Sequence, residues 1–163
     1  MKQGIIIKGI GGFYSVKENN DVYVCKAAGS LRNKKIKPAC GDRVIFSEEN
    51  HGDYLIEDIL ARDNYITRPP AANVNQSVIV CAIKTPKIDY LLLDKLLIDS
   101  AVQNTDIILC MTKCDLADDN DKQIIIDNYC GVIKNIVFTS SWSNEGIDEL
   151  RKLLKNNVSL MRG

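Results

Sequence analysis

Long apolar runs are missing from this sequence, which excludes a membrane-spanning helix. Such a helix needs ~18 consecutive apolar residues, and no run approaches that length. Near the N-terminus only residues 5–7 are consecutively apolar before the next lysine. A secretory signal peptide is therefore excluded as well, and we expect a cytoplasmic protein.

The sequence also lacks the cysteine spacing that is typical of metal sites. The six cysteines are Cys25, Cys40, Cys81, Cys110, Cys114 and Cys130. No two of them have the C-x-x-C spacing of a zinc or redox site, and most lie inside apolar runs. We expect small buried hydrophobes in a reducing compartment. The single histidine, His51, lies in a predicted turn without other metal ligands, and we assign it to the surface.

Net charge is lacking too, because 21 Lys and Arg balance 21 Asp and Glu. The charges are nevertheless segregated: residues 26–43 carry six basic side chains against one acidic, and residues 44–63 carry six acidic against one basic. The basic stretch is the candidate surface for an RNA phosphate backbone. Its candidate contacts are Arg32, Lys34, Lys35, Lys37 and Arg43. The alternative is a solvated hairpin whose charges keep a sheet edge soluble.

Short strands with glycine-rich turns fill residues 1–68. The candidate strands are 5–16, 22–26, 41–47, 54–60 and 65–67. Glycines interrupt the first, so we expect one long strand that bends at a barrel corner. Five short strands without a helical period predict a small antiparallel barrel of the OB type. Pro69 and Pro70 predict a stiff connector and a domain boundary.

Strands alternate with helices in residues 69–163. The predicted strands are 77–83, 106–111, 136–139 and 158–161, and the predicted helices are 88–102, 118–129 and 147–155. Repeated units of this kind predict a parallel sheet with right-handed crossovers. The fold class is therefore an OB-type barrel followed by an incomplete parallel α/β domain.

The apolar run 106–111 ends in Thr112, Lys113, Cys114 and Asp115. Ligands of open parallel sheets bind beyond the carboxyl ends of the strands. A carboxylate there accepts two hydrogen bonds from the ring N–H and the amine of guanine. Adenine presents an acceptor instead, which leaves the carboxylate unpaired at a cost of ~1–3 kcal/mol. The stem of Lys113 can lie along the base with its ammonium in solvent. Alternatively, Asp115 simply caps the next helix.

A second polar turn, Ser140, Ser141 and Trp142, follows the next predicted strand. Small residues let a backbone N–H approach the carbonyl oxygen of guanine, which adenine lacks. The alternative is an ordinary loop in which Ser143 or Asn144 caps the following helix. Trp142 either covers the base or anchors the loop. Two guanine-complementary turns on neighbouring strands together favour guanine.

These residues resemble a known family. The run 112–115 resembles the Asn-Lys-x-Asp motif of GTPases, and the run 140–142 is similar to their Ser-Ala-Lys motif. GTPases usually place a G-x-x-x-x-G-K-[ST] phosphate loop before both motifs, but none occurs here. A barrel followed by base motifs resembles the circularly permuted GTPase A family that depends on the small ribosomal subunit. The run 38–44 also resembles the barrel of that family.

The resemblance implies GTP hydrolysis stimulated by the small ribosomal subunit, with GTP or GDP and magnesium as cofactors. It implies a barrel that contacts ribosomal RNA, and zinc in a C-terminal domain. By the same resemblance Asp115 recognises guanine, Lys113 flanks the base, and Ser141 offers its backbone N–H. Thr112 replaces the usual asparagine, so we expect weaker tethering of the loop.

The resemblance also implies that the chain is a fragment, because Gly163 stands where the phosphate loop of the family begins. We therefore expect a monomer that does not hydrolyse GTP and binds it weakly. Two other classes of function stay open: an RNA-binding module with the α/β part as scaffold, and a protein adaptor that uses the sheet edge beside the fourth strand.

Overall fold

A computed structural model describes residues 1–33, 36–49 and 52–163. It divides into two compact units, residues 1–73 and 74–163. Lys34 and Lys35 of the predicted basic surface, the side chain of Arg32 and the predicted turn position of His51 lie outside the described residues.

The first unit is built on a closed five-stranded barrel. Its elements are β1 (Lys2–Ile10), β2 (Phe13–Glu18), β3 (Asp21–Ala27), α1 (Gly29–Asn33), β4 (Arg43–Glu48) and β5 (Tyr54–Ile59). The strand order is β1-β2-β3-β5-β4, and only β3 and β5 pair in parallel. The buried core holds Ile6, Val16, Cys25, Leu31, Val44, Phe46 and Ile56. The predicted barrel is confirmed, with the closed five-stranded architecture of OB folds.

The predicted single bent strand over residues 5–16 is wrong. Two antiparallel strands replace it, with Ile10 opposite Phe13 across a two-residue turn. Gly11 and Gly12 have φ of +59° and +86°, as a tight hairpin requires at both turn positions. The irregularity expected of a barrel strand lies instead between Ile6 and Lys8, where the register shifts.

Residues 65–72 form a small hairpin outside the barrel. It consists of β6 (Tyr65–Thr67) and β7 (Pro70–Ala72), which pair as a two-stranded sheet. The predicted barrel strand 65–67 and the predicted connector both belong to this hairpin. The amide of Ala72 donates to the carbonyl of Cys40 at 2.8 Å. The first unit therefore extends through Asn73 rather than ending at residue 68.

A buried ion pair fixes the segment between the barrel and this hairpin. Asp42 is fully buried and accepts from Nε and Nη2 of Arg62 at 2.7 and 2.8 Å. The amide of Ala39 also donates to Asp42, at 2.7 Å. The Arg62 guanidinium lies 4.3 Å from the ring centre of Tyr65 in β6. Because the carboxylate is out of water, it depends entirely on these donors.

The second unit is a four-stranded parallel sheet. Its elements are β8 (Gln76–Ala82), α2 (Tyr90–Val102), β9 (Asp106–Thr112), α3 (Asp119–Tyr129), β10 (Asn135–Phe138), α4 (Ile147–Leu154) and β11 (Ser159–Arg162). The order is β10-β9-β8-β11. The predicted alternation of strands and helices is confirmed.

Helices cover both faces of this sheet, which explains the continuous apolar runs of its strands. Leu109 lies on one face with Leu93 of α2 and Ile125 of α3. Ile108, the residue before it, lies on the other face with Leu150 of α4. Strand residues alternate between two apolar layers, so no polar face interrupts the pattern.

Cysteine burial matches the prediction only in part. Cys25, Cys110 and Cys114 are buried, whereas Cys40 and Cys130 are exposed. No helix among the described residues has the length and apolar character that crossing a membrane requires.

Candidate functional site

The turn that follows β9 leaves the sheet sharply at Lys113. This residue has φ of +59° and ψ of +38°, in the left-handed region, and a short 3-10 turn over Cys114–Leu116 follows. The amide of Cys114 donates to the carbonyl of Thr139 at 3.1 Å, and the amide of Thr139 donates to the carbonyl of Met111 at 2.8 Å. The turns after β9 and β10 are therefore joined through their backbones.

Ser140 links the two predicted motifs through its side chain. The buried hydroxyl donates to Oδ1 of Asp115 at 2.5 Å. The same oxygen accepts from the amides of Trp142 and Ser143, both at 3.2 Å. Ser140 therefore orients the Asp115 carboxylate and shapes the loop. Sequence reasoning placed Ser140 among the base contacts and missed this linking role, because no local pattern indicates which side chain it meets.

Both capping alternatives are wrong. The N-cap of α3 is Asp118, whose carboxylate accepts from the amide of Asp121 at 2.9 Å. The N-cap of α4 is Gly146, which has no side chain for a cap. Asp115, Ser143 and Asn144 are consequently not needed to cap these helices.

Residues of the two turns differ in their exposure to solvent. Asp115 and Ser141 are exposed, and Trp142 is 90% exposed. An indole so open to water does not anchor the loop by burial. Cys114 is buried. The hydroxyl of Thr112 donates to the carbonyl of Cys81 at 3.2 Å, which tethers the end of β9 to β8.

The Lys113 side chain is exposed, and it makes a hydrogen bond at the surface. Its ammonium donates to the carbonyl of Thr85 at 2.7 Å. Thr85 lies in the segment that joins β8 to α2. The alkyl stem therefore extends from the turn after β9 towards the turn after β8, at the carboxyl edge of the sheet.

A charged pair supports the second turn from α3. Nζ of Lys122 lies 3.0 Å from Oε1 of Glu145. Lys122 and, after it, the Cys114 thiol hold the pKa of Glu145 below its usual range. Burial, followed by the bond to Glu145, raises the pKa of the Cys114 thiol. Glu145 in turn raises the pKa of Lys122. Lys122 and Glu145 are therefore both charged at neutral pH.

Metal ligands do not gather anywhere in the described parts of the chain: no group of three or more His, Cys, Asp or Glu forms a possible metal site there. We accordingly assign no residue to magnesium or zinc.

A groove of about 680 Å³ opens on the barrel unit. Phe13, Tyr14, Lys26, Leu31 and Lys37 are among its lining residues. Phe13 is half exposed, and Nζ of Lys26 lies 5.6 Å from its ring centre. Of the predicted basic contacts, the structure thus brings Lys37 into a groove beside an open aromatic ring.

Arg43 lies elsewhere and is already engaged. Its Nη2 donates to Asp63 at 2.9 Å, to the carbonyl of Ala61 at 3.1 Å and to Asn73 at 3.2 Å. The sequence signal for the groove is the position of Phe13 directly after the Gly11-Gly12 turn, where a side chain can face outward.

Comparison with known proteins is consistent across the chain. Residues 3–56 match the RsgA N-terminal domain, and residues 59–163 match the RsgA GTPase. Two curated relatives bear the name small ribosomal subunit biogenesis GTPase RsgA. The one from Clostridium novyi is 40% identical over 99% of this chain and 56% of its own length. The one from Ruminiclostridium cellulolyticum is 40% identical over 100% of this chain and 54% of its own length.

Solved structures agree with the sequence matches. YjeQ from Thermotoga maritima is similar with a TM-score of 0.85 and 30% identity, over 99% of this chain and 60% of that one. YloQ, described as a circularly permuted GTPase, is similar with a TM-score of 0.78 and 30% identity, over 100% of this chain and 60% of that one. The chain spans about half the length of the curated relatives it matches. On these matches the chain belongs to the RsgA family of circularly permuted GTPases.

Proposed function

We propose that the protein serves maturation of the small ribosomal subunit as a GTP-binding and GTP-hydrolysing factor, and that its second unit recognises guanine. The names of the curated relatives support the process. The observation that carries guanine recognition is the bond from Ser140 to Asp115, which holds an exposed carboxylate against the second turn. We also infer a cytoplasmic location, since such a factor works where the subunit is assembled.

The geometry suits guanine in both of its distinguishing positions. Asp115 accepts from the ring N–H and the amine, and the backbone N–H of Ser141, an exposed residue, donates to the carbonyl oxygen. The Lys113 stem lies along one face of the base, and the exposed indole of Trp142 covers the base by stacking. Thr112 and the Cys114 backbone hold the turn on which Asp115 stands.

Hydrolysis requires groups that this sequence does not contain. No G-x-x-x-x-G-K-[ST] run occurs in its 163 residues, and that run supplies the lysine and hydroxyl that hold phosphates and magnesium. We propose that the complete protein binds GTP or GDP with magnesium, and also zinc. The 163-residue chain alone is then a monomer that does not hydrolyse GTP and binds it weakly.

Titration of the chain with GMP and AMP tests base recognition. We expect GMP to shift the amide resonances of Asp115 and Ser141 and the one indole N–H resonance, since Trp142 is the single tryptophan. AMP should bind at least about tenfold more weakly than GMP, because it leaves the carboxylate unpaired.

GTP under single-turnover conditions should release no phosphate; cleavage there would contradict the proposed inactivity.

Asp115→Asn is the matched variant for this titration. An amide presents one donor and one acceptor, which suits xanthine rather than guanine. We expect GMP binding to weaken about tenfold or more, since a bond to a charged group contributes about 1.5–3 kcal/mol, while XMP binding strengthens. Unchanged preference among the three nucleotides would refute guanine recognition by Asp115.

We further propose that the barrel contacts ribosomal RNA through the groove that contains Lys37. The groove combines two lysines with a half-exposed aromatic ring, a combination typical of surfaces that bind single-stranded nucleic acid. If the second unit fails to distinguish GMP from AMP, this barrel makes the chain an RNA-binding module instead.

Charge reversal of Lys34, Lys35 and Lys37 to glutamate tests the RNA proposal. Binding to small-subunit ribosomal RNA should weaken, and the slope of log affinity against log salt should fall by about two to three, at 0.7–0.9 per lost phosphate contact. Reversal of Lys134, Lys152 and Lys155, exposed on the second unit, gives the same change in net charge. Equal losses in both variants would contradict a specific barrel surface.

A further inference from the structure

Residues 140–145 form a loop whose last residue, Glu145, bonds to the first residue of the loop and to a helix. The backbone carbonyl of Glu145 accepts from the amide of Ser140 at 3.0 Å. Its side chain leaves the loop and meets Lys122 of α3 at 3.0 Å. The loop that presents Ser141 and Trp142 is thereby attached to α3.

The loop also meets the first turn through the backbone, because the amide of Cys114 donates to the carbonyl of Thr139, the residue before the loop, at 3.1 Å. The Cys114 thiol and the Glu145 carboxylate shift each other's pKa, that of Cys114 upward and that of Glu145 downward. Cys114 lies directly between Lys113 and Asp115. Glu145 therefore ties α3, the helix that follows the first turn, to the loop that carries the guanine N–H donor.

We propose that Lys122 and Glu145 are positioning residues that set the separation between the Asp115 carboxylate and the Ser141 amide, and so set the selectivity for guanine over adenine. This inference rests on the proposed guanine recognition. Neither side chain touches the base. They act through the backbone of two turns that must both fit one rigid ligand.

Rigid placement matters because guanine is recognised from two sides at once. A donor or acceptor that moves by a fraction of an ångström loses hydrogen-bond strength, and the discrimination falls with it. Ser140 joins the turns at one point, through its bond to Asp115. The pair of Lys122 and Glu145 adds a second point at the far end of the loop, which restrains rotation of the loop about the first.

The neighbouring residue on α3 offers a matched control. Asp121 pairs with Lys84 at 2.6 Å. The two lysines are similarly placed at the surface, with side chains 25% exposed for Lys122 and 47% for Lys84. The Lys84 pair ties α3 to the segment after β8 and does not involve the loop 140–145. Lys84 also lies 3.7 Å from Asp118, so its removal costs at least as much charge pairing on α3 without releasing the second turn.

The experiment compares Lys122→Met, Lys122→Arg and Lys84→Met with the unaltered chain. The probes are GMP and AMP, and the readout is the ratio of their dissociation constants from amide shifts. Lys122→Met should lower this ratio about fivefold, as expected for residues coupled in one network. Lys122→Arg keeps the charge and should preserve the ratio within about twofold, as should Lys84→Met. Urea unfolding of each variant reports stability separately.

The outcomes separate the two proposals. If the unaltered chain does not distinguish GMP from AMP, guanine recognition itself is refuted. If it does and Lys122→Met keeps the full ratio, only the positioning role is overturned. An equal fall in Lys84→Met would overturn it too, since any α3 ion pair would then suffice. Should Lys122→Met fail to fold, Glu145→Gln takes its place in the same comparison of dissociation-constant ratios, because the amide keeps an acceptor but not the charge.

Discussion

Asp42→Ala is expected to destabilise the barrel unit by about 3–5 kcal/mol, the usual cost of removing one partner of a buried ion pair. The substitution leaves the Arg62 guanidinium facing a cavity without its carboxylate, and it leaves the amide of Ala39 without its acceptor. The bond from Arg62 to the carbonyl of Lys37 at 2.7 Å would persist, but it does not neutralise the charge. Urea unfolding followed by the near-ultraviolet circular dichroism of the barrel tyrosines measures the loss.

Asp63→Ala is the control for Asp42→Ala. Asp63 pairs with Arg43 at 2.9 Å, but its side chain is 72% exposed and that of Arg43 is 44% exposed. An exposed pair of this kind contributes about 0–1 kcal/mol. The two variants remove the same chemical group from two Asp–Arg pairs of the same unit, so burial is the main difference between them. Similar losses in both would show that burial of Asp42 does not matter.

The sequence predicts the second unit better than the first, and the reason is physical. The strands β8 and β9 are buried on both faces, so their apolar runs are unmistakable, and the helix α2 separates them. Local pattern and tertiary position agree there. In the first unit, Gly11 and Gly12 fit either a bend or a hairpin turn, and only the pairing of Ile10 with Phe13 decides between them.

The prolines after Arg68 illustrate the same limit. Pro70 begins β7, at an edge where a missing N–H costs little. The prediction of a connector used the local rule that proline interrupts central strands. It could not foresee that Ala72 would bond to Cys40, thirty-two residues earlier in the chain. Contacts of that sequence separation carry no local signal.

The candidate site likewise has one part that the sequence predicts and one part that it does not. The residues proposed to meet guanine follow from their positions after two strands, and the structure brings Asp115 and Ser140 into direct contact. The pairing of Lys122 with Glu145 has no sequence signal, because it depends on how α3 packs beside the second loop. Motif spacing thus predicts which groups face a ligand, whereas the groups that hold them in place emerge only from the packing.

Gly146→Ala is expected to destabilise the second unit by about 2–5 kcal/mol. Gly146 has φ of +68°, where a side chain costs ~1–2 kcal/mol. A Cβ atom there would also lie 1.9 Å from the carbonyl oxygen of Phe138. Backbone at the end of β10 would have to move, which adds about 1–3 kcal/mol. Urea unfolding followed by the far-ultraviolet circular dichroism of the helices measures the change.

Gly11→Ala separates the two costs of the Gly146 substitution. Gly11 has a similar φ of +59°, but no atom lies within 4 Å of the position that a Cβ would occupy. Only the conformational cost of ~1–2 kcal/mol is expected there, in the barrel unit. The displaced loop of Gly146→Ala should also weaken GMP binding, because Ser141 and Trp142 lie within it. If both alanines cost the same and GMP binding is unaffected, close packing of Gly146 against β10 does not hold the second turn in place.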